Sequence, residues 1–170
     1  MTFTRITGAL FALALAGLSA APALAEEHTE VHVSMWDKGD TSMDMLGEAA
    51  PMGMAMSGVD NMSNATMGFT LDKSEVKAGE ITFVATNDST TLVHEMIVAP
   101  VADTSKQLPY NNDENAVDEE AAGAIGEVPE TDPGKSGQLT LHLDPGTYIL
   151  FCNIPGHYVM GMWTLLTVTQ

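Results

Sequence analysis

Cysteine and positive charge are both scarce in this 170-residue sequence. It holds one Cys, and six Lys plus Arg against 23 Asp plus Glu, for a formal charge of −17. A single thiol, Cys152, cannot close a disulfide within the chain. So negative a surface repels phosphate backbones and anionic headgroups, which argues against nucleic-acid and membrane-surface roles. Long apolar runs are equally rare. Arg5, the apolar run over residues 6–18 and the small-x-small end Ala23-Leu24-Ala25 have the layout of a secretory signal peptide spanning residues 1–25. No other run approaches the ~20 residues needed to cross a bilayer. The expected product, residues 26–170, is a periplasmic chain with no membrane span. It is one charge more negative for the loss of Arg5, and its length suits one core rather than two. A free thiol in an oxidising compartment then needs a reason, namely burial, a bridge to another chain or a metal.

What the sequence does contain is mostly of period two. Residues 30–36 set Val31, Val33 and Met35 against His32, Ser34 and Trp36, and residues 80–87 set Ile81, Phe83 and Ala85 against Thr82, Val84 and Thr86. Residues 138–143 place Leu139, Leu141 and Leu143 on one side. Shorter strands are expected at 68–71, 92–99, 147–152 and 163–169, with turn signals at 77–80, 87–89, Pro100, 134–137 and Asp144-Pro145-Gly146. This spacing predicts an all-β antiparallel sandwich or barrel. The acidic, Ala-rich stretch 111–126 predicts one short surface helix starting near Asn112 or Asp113. Residues 38–66 differ in kind. Leu46 and Val59 are their only branched apolar residues among Met, Gly, Ala, Ser, Asp and Asn, so a loop or mobile insertion is expected there.

The run Cys152-Asn153-Ile154-Pro155-Gly156-His157-Tyr158-Val159-Met160-Gly161-Met162 carries the chemistry, as C-x4-H-x4-M between two expected strands. In extended chain Cys152 and His157, an odd number of positions apart, point to opposite faces. Pro155-Gly156 removes that obstacle. Pro fixes φ at one corner and Gly tolerates positive φ at the next, so residues 154–157 can turn back and bring thiol and imidazole together. Met162 approaches on the returning arm. A thiolate with imidazoles and a weak thioether suits copper, and two His, one Cys and a long axial Met form an electron-transfer geometry that serves Cu(I) and Cu(II) alike. The second imidazole must come from another strand. His94, at the start of the strand after the 87–91 turn, is the candidate, and copper would explain why Cys152 is unpaired.

With these residues in place the chain resembles the cupredoxins, the small blue copper proteins. The resemblance is carried by Val76-Lys77-Ala78-Gly79-Glu80 before a core strand, Asn87 and His94-Glu95 after it, and Leu143-Asp144-Pro145-Gly146-Thr147-Tyr148 leading into the ligand loop. The loop's Pro155-Gly156-His157 centre and Gly161-Met162-Trp163 end are similar to rusticyanin and sulfocyanin. The likeness covers roughly residues 31–169, with 38–66 unmatched. It implies a Greek-key β-sandwich of eight strands, one type 1 copper ion and one-electron transfer without substrate chemistry. By position it implies His94, Cys152, His157 and Met162 as ligands. Met160 competes with Met162 for the axial place, and loops of the rusticyanin type favour Met162. Glu95 stands where some cupredoxins carry Asn or Ser.

The remaining residues read more plainly. His142 lies opposite Leu139, Leu141 and Leu143 and is expected to face solvent. His28 and His32 have an i, i+4 spacing that converges only on a helix, whereas a strand is expected. Met43, Met45, Met52, Met54, Met56, Met62 and Met67 either cover a flank of the sandwich as adaptable filler or capture Cu(I) through their thioethers. Acidic residues between 113 and 132 form a solvated face. The expected function is a monomeric periplasmic electron carrier. Its redox partner is a basic-faced protein such as a c-type cytochrome, drawn in by electrostatic steering, with His157 near the surface inside a collar of Ile154, Pro155, Tyr158 and Met160. The alternative is a copper-binding, delivery or resistance protein that collects Cu(I) on the Met-rich segment. An enzyme is not expected, because a second, catalytic copper needs more His than the chain can spare and a binuclear site needs two Cys.

Overall fold

Alternation decides which side of each strand is buried. In the computed structural model, which describes residues 28–56 and 59–170, β1 (His28–Asp37) buries Val31, Val33 and Met35 and exposes His28 and His32. The expected signal peptide lies outside the described residues. Chain order continues with β2 (Met67–Leu71), β3 (Glu75–Lys77), β4 (Gly79–Asn87), β5 (His94–Val101), β6 (Tyr110–Asn111), β7 (Ala116–Val117), helix α1 (Glu119–Ala122), β8 (Gly126–Thr131), β9 (Ser136–Leu143), β10 (Gly146–Phe151) and β11 (Trp163–Thr169). One sheet has the order β2-β1-β4-β9 and the other β3-β11-β10-β5-β8, while β6 and β7 form a separate two-stranded ribbon. Their facing sides bury Ile81, Phe83, Val98, Leu150 and Leu166 with little or no exposure, which is the core of a Greek-key sandwich. No helix among the described residues is long and apolar enough to cross a membrane.

The expected all-β sandwich is the fold observed, with local differences. Two pairings, β1 with β4 and β3 with β11, are parallel rather than antiparallel. Strands β3 and β8 carried no alternation signal of their own. β5 runs through Pro100 to Val101 because β8 pairs with it only as far as Val98, so the missing N–H of Pro100 falls on a free edge. The helix begins at Glu119, not near Asn112 or Asp113. Asn115 adopts φ 52° and closes the β6–β7 ribbon, and Asp118 then caps the helix by accepting a hydrogen bond from the Ala121 amide.

The Met-rich segment is the expected loop, and it packs against the sandwich. Its secondary structure is turns and a 3-10 helix, Val59–Asn64, yet Ser42, Met52, Met54 and Ala65 are buried. The Lys38 amide and the Ser42 hydroxyl both donate to the Thr66 carbonyl, and the Thr66 hydroxyl donates to the Ser42 carbonyl, which ties the segment's two ends together. Between them the chain lies as a strap across one end of the sandwich. Composition without a repeating period carries no signal for such packing, in which Met52 and Met54 are buried while Met45 stays exposed.

Candidate metal centre

The strap, the β4–β5 turn and the loop after β10 meet at that end. In the β4–β5 turn, the Asn87 amide group donates to the Leu92 and Thr131 carbonyls at 2.9 and 2.7 Å and accepts from the Ser89 amide at 2.9 Å. Ser89 Oγ in turn accepts from the Thr91 and Leu92 amides. Each such bond contributes about 1 kcal/mol, and together they fix where β5 starts. Its first residue is His94, whose side chain is fully buried.

The loop after β10 folds as the Pro-Gly signal requires. The His157 amide donates to the Ile154 carbonyl at 2.9 Å, and Gly156 takes φ 88°, the left-handed corner that a side chain resists. The Cys152 amide donates to the Met162 carbonyl and the Met162 amide to the His157 carbonyl, both at 3.1 Å, so the returning arm is clamped beside Cys152. Asn153 braces the loop from outside. Its amide donates to Glu95 Oε1 at 2.9 Å, and its side chain pairs with the backbone of Val117 and with Glu119. Glu95, the residue that departs from the family pattern, therefore anchors the ligand loop.

His94, Cys152 and His157 converge. One donor atom from each lies within 4.8 Å of the other two, and all three residues are buried. His94 Nδ1 and Cys152 Sγ both stand 3.3 Å from His157 Nδ1. Met162 and Met160 are buried in the same core as Cys152. His142 is exposed, and His28 and His32 face outward on β1 against Glu80 and Glu30. Burial pushes the Cys152 thiol up to about 12. Burial, and then the nearby His94, pull His157 down to about 4. Burial lowers His94 more than its contact with Asp37 raises it. At neutral pH both imidazoles are thus uncharged lone-pair donors, and only the thiol proton stands between this pocket and a cation. Two imidazole nitrogens and one potential thiolate, dry and converging on a single point, match a single type 1 copper site.

Comparison with known proteins agrees. Residues 55–169 match the copper-binding proteins of the plastocyanin/azurin family. The chain belongs to that family. A 37-residue stretch is 51% identical to auracyanin-B of Chloroflexus aurantiacus, covering 21% of this chain and only 16% of that protein. The solved auracyanin B structure superposes with a TM-score of 0.51 at 19% identity, over 87% of this chain and 93% of the other. Rusticyanin from Thiobacillus ferrooxidans gives 0.53 at 15% identity, over 85% and 79%. These likenesses show a shared cupredoxin fold. The family match starts at residue 55, so β1 and most of the strap lie outside it.

Two features of the site were not anticipated. The expected collar is not a surface feature: His157 is only 4% exposed, Tyr158 and Met160 are buried, and of the four collar residues Pro155 alone is exposed. The strap is the cause. The Met52 amide donates to the Val159 carbonyl, Trp163 Nε1 donates to the Met52 carbonyl, and the Met54 amide donates to the Tyr158 hydroxyl. A Cβ on Gly156 would stand 2.8 Å from Leu46 and 2.9 Å from Met43, so the strap also closes over the residue next to His157. The second feature is Asp37, whose side chain is 1% exposed and lies 2.8 Å from His94 Nε2. Its signal was available, since Asp37 continues the inward parity of Val31, Val33 and Met35.

Proposed function

We propose that this protein is a periplasmic type 1 copper protein that carries single electrons between redox partners, with His94, Cys152, His157 and Met162 as its ligands. The observation that carries the reading is the buried convergence of two neutral imidazoles on the chain's one thiol. Copper held there would supply one-electron chemistry in which no substrate bond is made or broken. The residues do the rest. The β4–β5 turn and the Pro155-Gly156 corner hold the donors in place at one end of the neighbouring strands β5 and β10. The surrounding core excludes water, so little rearranges when charge changes. Met162 is favoured over Met160 as the axial group because its backbone is clamped on both sides to the other loop ligands.

Access to a partner runs over the strap. Met45 and Leu46 are exposed at 45% and 37%, and Leu46 lies against Gly156 beside His157. Exposed Asp40, Asp44 and Glu48 flank this apolar spot, and residues 39–56 contain no Lys or Arg. A redox protein with a basic rim around an apolar contact fits such a face, a c-type cytochrome among the candidates. An export leader over residues 1–25 is consistent with meeting it in the periplasm. The rival reading of the strap as a Cu(I) collector is weakened by Met52 and Met54, whose side chains are spent in packing.

The test is direct. Cu(II) added to the purified protein should bind one equivalent and give an intense visible thiolate-to-copper band with the narrow hyperfine splitting of a type 1 site. Cys152→Ser should abolish the band. A colourless wild-type complex would refute the assignment.

A further inference from the structure

Asp37 ends β1 on the strand's inward side, in line with the buried Val31, Val33 and Met35. A buried carboxylate is costly unless donors surround it. Three do. His94 Nε2 lies 2.8 Å from Oδ2, the Gly39 amide donates to Oδ1 at 2.6 Å, and the Ser89 hydroxyl is a further partner. Ser89 Oγ already accepts from two backbone amides, so its own hydrogen is free to point at Asp37. An ionised carboxylate only accepts, and therefore the imidazole must present its N–H from Nε2. That leaves the His94 lone pair on Nδ1, the atom that faces His157.

We infer that Asp37 is the positioning residue of the metal centre: its carboxylate fixes the tautomer and ring orientation of His94 and favours the oxidised over the reduced ion. The inference rests on the copper reading above and adds to it a determinant of potential that lies in β1, outside the family match. A carboxylate behind a ligating imidazole raises the basicity of that ligand, and such partners typically govern metal affinity by 10–100-fold. A full negative charge one imidazole away also stabilises the higher ionic charge more than the lower. Asp37 reaches the strap as well, through Gly39, so the ligand and the start of the strap share one anchor.

Asp37→Asn keeps the shape and an acceptor oxygen while removing the charge. In the copper-loaded protein it should weaken Cu(II) binding by at least tenfold, weaken Cu(I) binding less, and raise the reduction potential. A tenfold difference between the two affinities reads as about 59 mV for one electron. A folded Asp37→Asn protein with the wild-type potential and the wild-type ratio of affinities would overturn the inference and leave the copper reading standing. Should the variant not fold, imidazole 15N correlations on the wild-type Cu(I) protein decide instead. His94 must show a slowly exchanging Nε2–H, and protonation at Nδ1 or a freely exchanging Nε2–H overturns the assignment. A wild-type protein with no thiolate-to-copper band fails at the earlier step, and the two failures are thereby distinguished.

Discussion

The sandwich and the strap bury apolar side chains by different rules. In the sandwich, period-two strands place Ile81, Phe83 and Ala85 on one face, and each is packed from several directions by both sheets. The strap has no period. It is held by the bonds that tie its ends at Ser42 and Thr66, by the amide and carbonyl of Met52 and the amide of Met54, and by scattered Met side chains, with Met45 and Leu46 left in solvent. One region supplies stability and positions the donors. The other supplies cover and a surface, and few contacts hold it in place. Local opening of such a segment costs less than global unfolding.

The largest expected effect belongs to the sandwich. Phe83→Ala removes a fully buried ring from the centre of β4 and should cost about 3–5 kcal/mol in chemical denaturation. A loss below ~1 kcal/mol would mean that this region is packed as loosely as the strap. Next comes acid sensitivity of the copper-free protein. His157, near 4 in the fold against an ordinary 6.5, binds its proton more readily when unfolded, so stability falls as pH drops from 6.5 to 4, by on the order of 3 kcal/mol. Glu95 works the other way. Burial pushes it up to about 6 from 4.5, and its contribution is lost as pH rises through that window. The net slope should therefore be steepest just above pH 6 and below 4.5. Denaturation midpoints across pH 4–7 measure it, and copper on His157 should suppress it.

Tyr158→Phe asks whether the strap opens by itself. The substitution leaves the Met54 amide without its hydroxyl partner, a buried loss of about 1–3 kcal/mol. Hydrogen exchange at residues 52–56 should accelerate several-fold or more, with much smaller changes in β4 and β9. Equal acceleration in strap and strands would make them one cooperative unit. In an opened strap His157 meets water, so the acid slope of this variant should also flatten.

How much of this was legible follows the same division. Strands β1, β4 and β9 could be read because hydrophobic alternation is a local property, and the ligand loop because Pro155-Gly156 states its own turn. Strand β8 could not, since its Glu127, Pro129 and Glu130 interrupt any alternation and its pairing with β5 is a tertiary fact. Asp37 was readable in parity but not in partner. The sealing of His157 was not readable at all, because it depends on which Met of an aperiodic segment reaches the loop. His94, Cys152 and His157 were found from residue chemistry and their convergence is now explicit, whereas Met162 rests on the loop's backbone clamp.

The smallest expected effect on stability carries the most information about the strap's surface. Met45→Gln with Leu46→Gln alters exposed side chains, so stability should stay within about 0.5 kcal/mol and the thiolate-to-copper band should not move. If partners dock on this face, the second-order rate of electron exchange with a cationic redox protein should fall several-fold. Replacing Asp40, Asp44 and Glu48 by their amides should instead flatten the dependence of that rate on ionic strength. An unchanged rate in both variants would place docking elsewhere on the acidic surface. Met45→Leu with Leu46 intact separates area from sulfur: it preserves the apolar contact and removes the thioether. A rate that survives leucine but not glutamine assigns the strap to docking. A rate lost equally in both would require the Met45 sulfur itself, and the metal-capturing reading of the strap would regain its footing.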